Sequence, residues 1–118
     1  MLDRCDRLQI AVPDRRAAAR TFMALLGAEP AREIASRHLA ARITVLALGE
    51  SEIELCEPDG SGRTQDHLDH YGQGLMRAGY STPDIERLAQ HLEKEGAAIV
   101  REDGRLFVGP PATPGLPM

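Results

Sequence analysis

The sequence predicts an α+β fold built from paired βαβββ modules, with a last strand that is short or missing. Two observations carry this prediction. A strand, a Pro-Asp pair, an amphipathic stretch and a glycine occur in that order twice, about seventy residues apart (Pro13-Asp14 and Pro83-Asp84). After each amphipathic stretch come three short strand candidates, which argues for antiparallel strands beside a helix rather than a doubly wound parallel sheet.

Leu8–Val12 reads as the first strand. Asp14 is the expected N-cap of a helix whose apolar stripe is Ala17, Ala18, Phe22, Leu25 and Leu26, and Gly27 is the expected stop. Strands are predicted at 31–36, 41–48 and 52–56. In the last, Glu52 and Glu54 share one face and Ile53 and Leu55 the other, because strand side chains alternate. Residues 59–74 are polar and read as a solvated linker between module one (1–58) and module two (75–118). The second module begins with a strand at 78–82. Its helix opens at Pro83-Asp84, carries Ile85, Leu88, Ala89 and Leu92, and ends at Gly96. Strands at 97–101 and 105–108 and a stub at 115–118 complete it. Neither module can bury its apolar faces alone, so the two are expected to pair within one domain.

Composition narrows the functional classes. The 118 residues carry a formal charge of −4 with mixed signs, so no nucleic-acid surface is implied. No run approaches the ~20 apolar residues of a membrane span, and no apolar signal core opens the chain. A cytoplasmic location is therefore expected. Cys5 and Cys56 lack the spacing of a metal-binding pair and are expected to be reduced thiols. Phe22, Tyr71, Tyr80 and Phe107 are the only aromatic residues, which disfavours recognition by stacking. Lys94 is the only lysine, so nearly all positive charge is arginine.

Four pieces resemble the vicinal oxygen chelate superfamily, which includes glyoxalase I, bleomycin-resistance proteins and ring-cleaving dioxygenases. Within it the chain is most similar to the methylmalonyl-CoA epimerases. The pieces are 8–14 (LQIAVPD), 46–58 (LALGESEIELCEP), 72–75 (GQGL) and 107–115 (FVGPPATPG). The resemblance implies a cupped sheet holding a divalent metal through His, Glu or Gln, His and Glu, from the first, fourth, fifth and eighth strands. Position by position, the first histidine falls on Arg7, the carboxylate on Glu54 and the second histidine on Arg77. The last ligand would lie beyond Met118. Arginine is permanently protonated and cannot ligate a metal, so no metal and no other cofactor is expected. The catalytic glutamate of the epimerases falls near His38.

Two readings of these positions stay open. Arg7, Gln9, Glu54 and Arg77 could form a metal-free site for a carboxylate or enolate-like oxygen, with guanidinium groups where the metal stood. They could equally form an ion-pair network that fills an unused cavity. His38 could be an acid–base group or an ordinary loop residue. His67 and His70, three apart, could share a helical face but lie in the expected linker. His91, Glu93 and Glu95, and the pair Arg15-Arg16, read as solvated helix faces, and Cys56 as a core-lining thiol. The expected partner is a small anionic molecule or an acyl-CoA. The exposed edge left by a missing last strand predicts either a homodimer or a natural chain that continues past Met118. The functions in contention are a metal-free binding protein, a divergent epimerase, isomerase or lyase acting beside a carbonyl, and a drug-binding resistance protein.

Overall fold

The computed structural model describes residues 2–109 and Pro117. Chain contacts divide it into two compact units, Arg7–Met76 and Met1–Asp6 with Arg77–Met118. In chain order the elements are β1 (Arg4–Ala11), α1 (Arg15–Leu26), β2 (Glu29–Ser36), β3 (Ala41–Leu48), β4 (Ser51–Pro58), α2 (Arg63–Tyr71), β5 (Gly74–Ser81), α3 (Ile85–Lys94), β6 (Ile99–Glu102) and β7 (Arg105–Val108). This is the predicted α+β order, with each strand–helix–strands repeat in place. The stub at 115–118 and the turn before it lie outside the described residues, except Phe107–Gly109 and Pro117.

In the first unit the strand order is β2-β3-β4-β1. β2, β3 and β4 are antiparallel neighbours, whereas β1 lies parallel to β4, with Gln9 beside Glu54 and Ala11 beside Cys56. The predicted alternation holds. Ile53 and Leu55 join Val12, Leu46, Ala19 and Ala28 in a buried cluster, against which Phe22, Met23 and Ala18 of α1 pack. Each fully buried Leu, Ile or Val of the cluster contributes about 1.5–3 kcal/mol by leaving water. Asp14 caps α1 by accepting from the Arg16 and Ala17 amides, and the Gly27 N–H closes it on the Met23 carbonyl. The expected apolar stripe is rotated. Ala19 is its most buried member, while Leu25 and Leu26, in the last turn, are exposed.

The expected linker is the largest departure: its centre is helix α2. The helix start is tied to the β2–β3 turn. The Thr64 N–H and Oγ1 both donate to the Leu39 carbonyl, at 3.1 and 2.8 Å, and the Asp59 N–H donates to Ala40 O at 2.8 Å. Gly62, the N-cap, has φ 155°, and a Cβ built on it would stand 2.5 Å from the Ala40 Cβ. Only glycine fits there.

In the second unit the start of β1 neighbours β5, and the Asp3 N–H donates to Ser81 O at 2.8 Å. β6 and β7 form an antiparallel hairpin closed at Glu102–Arg105. Its turn, Asp103-Gly104, has φ of 46° and 77°, the left-handed pair a two-residue hairpin loop requires. α3, capped by Asp84 on the Arg87 amide, packs on this hairpin; its Ala89 is buried and its Ile85, Leu88 and Leu92 are half-buried.

Candidate functional site

The sheet of the first unit has two faces of opposite character. One is the apolar face under α1. The other carries Arg7 and Gln9 from β1, Glu52, Glu54 and Cys56 from β4, Ile43 and Val45 from β3, and Arg32 from β2, all placed there by the register. None of these residues is aromatic.

Glu54 is fully buried at the centre of this polar face. Its Oε1 accepts from Gln9 Nε2 at 2.8 Å, and its Oε2 accepts from Arg7 Nη1 at 3.4 Å. Gln9 is itself only 4% exposed. A buried carboxylate loses several kcal/mol of hydration and needs such partners. The Arg7 contact is long for a charge-assisted bond, and the side chain keeps a quarter of its surface in solvent.

One further pair belongs to the same face and was not singled out from the sequence. Arg32 grips Glu52 in a fork, Nη1 to Oε2 at 2.7 Å and Nη2 to Oε1 at 2.9 Å. This hydrogen bonding, chiefly, holds the Arg32 guanidinium above its ordinary pKa; burial opposes it, and the charges of Glu52 and Glu54 add to it. The face therefore carries a ladder of charge, Arg32–Glu52 beside Glu54–Arg7. The sequence signal that could have found it is the strand-2 arginine, since Arg32 falls opposite Val45, and Val45 opposite Glu54.

Arg77, on β5 in the second unit, is 8% exposed; its Nη2 donates to Val108 O at 3.4 Å and its guanidinium lies 5.4 Å from the Phe107 ring centroid. His38 is half-buried in the β2–β3 turn. That turn closes at Ser36–Ala41, four residues along β3 from Val45, or roughly 13 Å from the level of Glu54 at strand rise. His67 packs against Tyr71, with centroids 5.1 Å apart, and His70 Nδ1 lies 2.8 Å from the Asp66 carbonyl, both on α2 rather than in a solvated linker. Arg15 is not a solvated residue either. It is largely buried and ion-paired with Glu57 and Glu33.

The family resemblance implies a divalent metal, and the residues present do not suit one. Among the described residues no three His, Cys, Asp or Glu side chains gather to hold a metal ion. The carboxylate that would serve as ligand is instead bonded by an amide and a guanidinium. Also among the described residues, no helix is long and apolar enough to cross a membrane.

A mixed sheet of this order, with a buried glutamate on the fourth strand, defines a glyoxalase-like protein. The sequence profile of the Glyoxalase/Bleomycin resistance protein/Dioxygenase superfamily matches residues 6–107, and the chain belongs to that superfamily. Its fold is similar to that of methylmalonyl-CoA epimerase from Mycobacterium tuberculosis, with a TM-score of 0.86 at 23% identity over 98% of this chain and 85% of that one. A variant of the Streptomyces coelicolor epimerase, in complex with 2-nitronate-propionyl-CoA, gives 0.86 at 21% over 99% and 94%. A methylmalonyl-CoA epimerase in complex with methylmalonyl-CoA and NH4+ gives 0.87 at 21% over 99% and 92%. Comparison with curated proteins returned no match.

Proposed function

We propose that the chain is a metal-free glyoxalase-like protein that binds a small anionic metabolite or acyl thioester on the polar face of its first sheet. The observation that carries this proposal is the buried carboxylate of Glu54, bonded by Gln9 and Arg7. Guanidinium takes the position of positive charge that a metal occupies elsewhere in the superfamily. With five donors, Arg7 can hold Glu54 and a ligand oxygen together, and its long contact with Glu54 leaves a ligand carboxylate in competition for it. The structural neighbours crystallised with acyl-CoA ligands support the thioester class.

The test begins with metal content, then titration with cobalt, then binding of short dicarboxylates and their CoA thioesters. The expected result is no stoichiometric metal, no cobalt uptake, and dicarboxylate binding abolished by Arg7→Ala. One tightly held equivalent of metal, or normal dicarboxylate binding by the Arg7 variant, sinks the proposal.

A divergent epimerase, isomerase or lyase is the second reading, favoured by the half-buried histidine in the β2–β3 turn. His38 would move the proton beside the substrate carbonyl, and Arg7 would stabilise the enolate as fixed positive charge. Solvent deuterium entering a bound acyl thioester, and lost in His38→Ala, separates this reading from simple binding. Arg77 is tested apart, because Arg77→Lys keeps the charge and removes the fork. Homodimerisation belongs to the same proposal, since β2 is an edge strand exposed along most of its length; a clean monomer by light scattering at micromolar concentration counts against it. A cytoplasmic setting, in which the exposed Cys5 would stay a thiol, belongs to the same proposal.

A further inference from the structure

The α1 side of the first unit carries a second polar feature that the buried glutamate does not explain. A groove of about 750 Å³ opens where α1 begins, lined by Arg15, Arg16, Arg20, Arg42, Glu57 and Asp59 among others. That volume is in the range of small-molecule sites.

The carboxylates here are already engaged. Asp14 caps the helix, Glu57 takes both the Arg15 amide and its guanidinium, and Asp59 meets Arg42 at 3.6 Å. That last pair is more than half exposed on both sides, and pairs of this kind yield readily to a stronger partner. Arg16 and Arg20 differ. Among the described residues neither is paired with a carboxylate. They stand one turn apart on α1, and like charges at that spacing repel. The groove therefore offers two uncommitted guanidinium groups, a third held loosely, and the positive end of the helix dipole.

We propose that this groove binds clustered phosphate groups, as found in a polyphosphate or at the nucleotide end of a coenzyme. Guanidinium matches phosphate oxygens two at a time, and a multiply charged anion between Arg16 and Arg20 offsets their mutual repulsion more fully than a single carboxylate does. Asp14 already satisfies the first helical amides, so recognition falls to the side chains. The groove is on the face opposite Glu54, and it stands independently of the metabolite site.

Calorimetric titration with pyrophosphate, ADP and coenzyme A at low salt tests it. At least one of the three binds, the affinity falls with added salt, and Arg16→Gln/Arg20→Gln weakens it by roughly tenfold or more. Both residues are exposed, so the variant keeps its Tm, and Arg7→Ala leaves the titration unchanged. Pyrophosphate binding without coenzyme A marks a free polyphosphate as the ligand. Binding of ADP and coenzyme A marks a nucleotide end. No binding by any of the three, or equal binding to the double variant, overturns the proposal.

Discussion

In the first unit the strands run eight residues, and β3 and β4 bury Leu46, Ile53 and Leu55 in the cluster under α1. In the second, β6 and β7 have four residues each, and only Phe107 and Val108 of that hairpin are buried. Yet both units start alike, with a strand, Pro-Asp and a capped helix. A shared local grammar thus sets the order of elements without setting how much core each repeat assembles. That depends on the length of the strands the helix covers.

The comparison can be broken by cavity-forming substitutions. Leu55→Ala, in the fully buried first core, is expected to lower unfolding free energy by about 4 kcal/mol. Leu92→Ala, on half-buried α3, should cost about 1–2 kcal/mol. Equal losses in denaturant melts would show that the second unit is as well packed as the first.

Arg7→Ala should come next, near 3 kcal/mol, because it removes the charged partner of the buried Glu54 carboxylate. The double variant Arg7→Ala/Glu54→Gln is expected to recover part of that loss. A double variant as unstable as the single one would mean that the pair is not what Arg7 contributes. Native-state hydrogen exchange sharpens the contrast further. Amides of β3 and β4 should exchange only on global unfolding, and those of β6 and β7 through local opening.

The smallest effects compare the two caps. Asp14 accepts from two amides and Asp84 from one. Asp14→Ala should cost about 1 kcal/mol, and Asp84→Ala less, as read by the shift in Tm.

Much of this was legible in the residues. The alternation of Glu52, Ile53, Glu54 and Leu55 assigns each to its face, and Pro-Asp with a following apolar stripe assigns α1 and α3. What was not legible has identifiable causes. Helix α2 lacks an apolar stripe; buried Thr64 anchors it through long-range bonds to Leu39, which no local pattern announces. Leu25 and Leu26 match the period of the α1 stripe but lie in its last turn, where they are exposed. The partner of Glu52 comes from β2, twenty residues earlier, and only the strand register reveals it. Gln9 bonding Glu54 is of the same kind, since parallel pairing of β1 with β4 is a tertiary fact.

The close approach of Gly62 to Ala40 makes two distant stretches of sequence answerable to each other. A side chain at Gly62 would collide with Ala40 in the turn that holds His38, so the residue that opens α2 is tied to that turn. Drift in either loop is checked by the other, so the position of that histidine is inherited as a property of both. An engineer who wished to move His38 would have to redesign the start of α2 first.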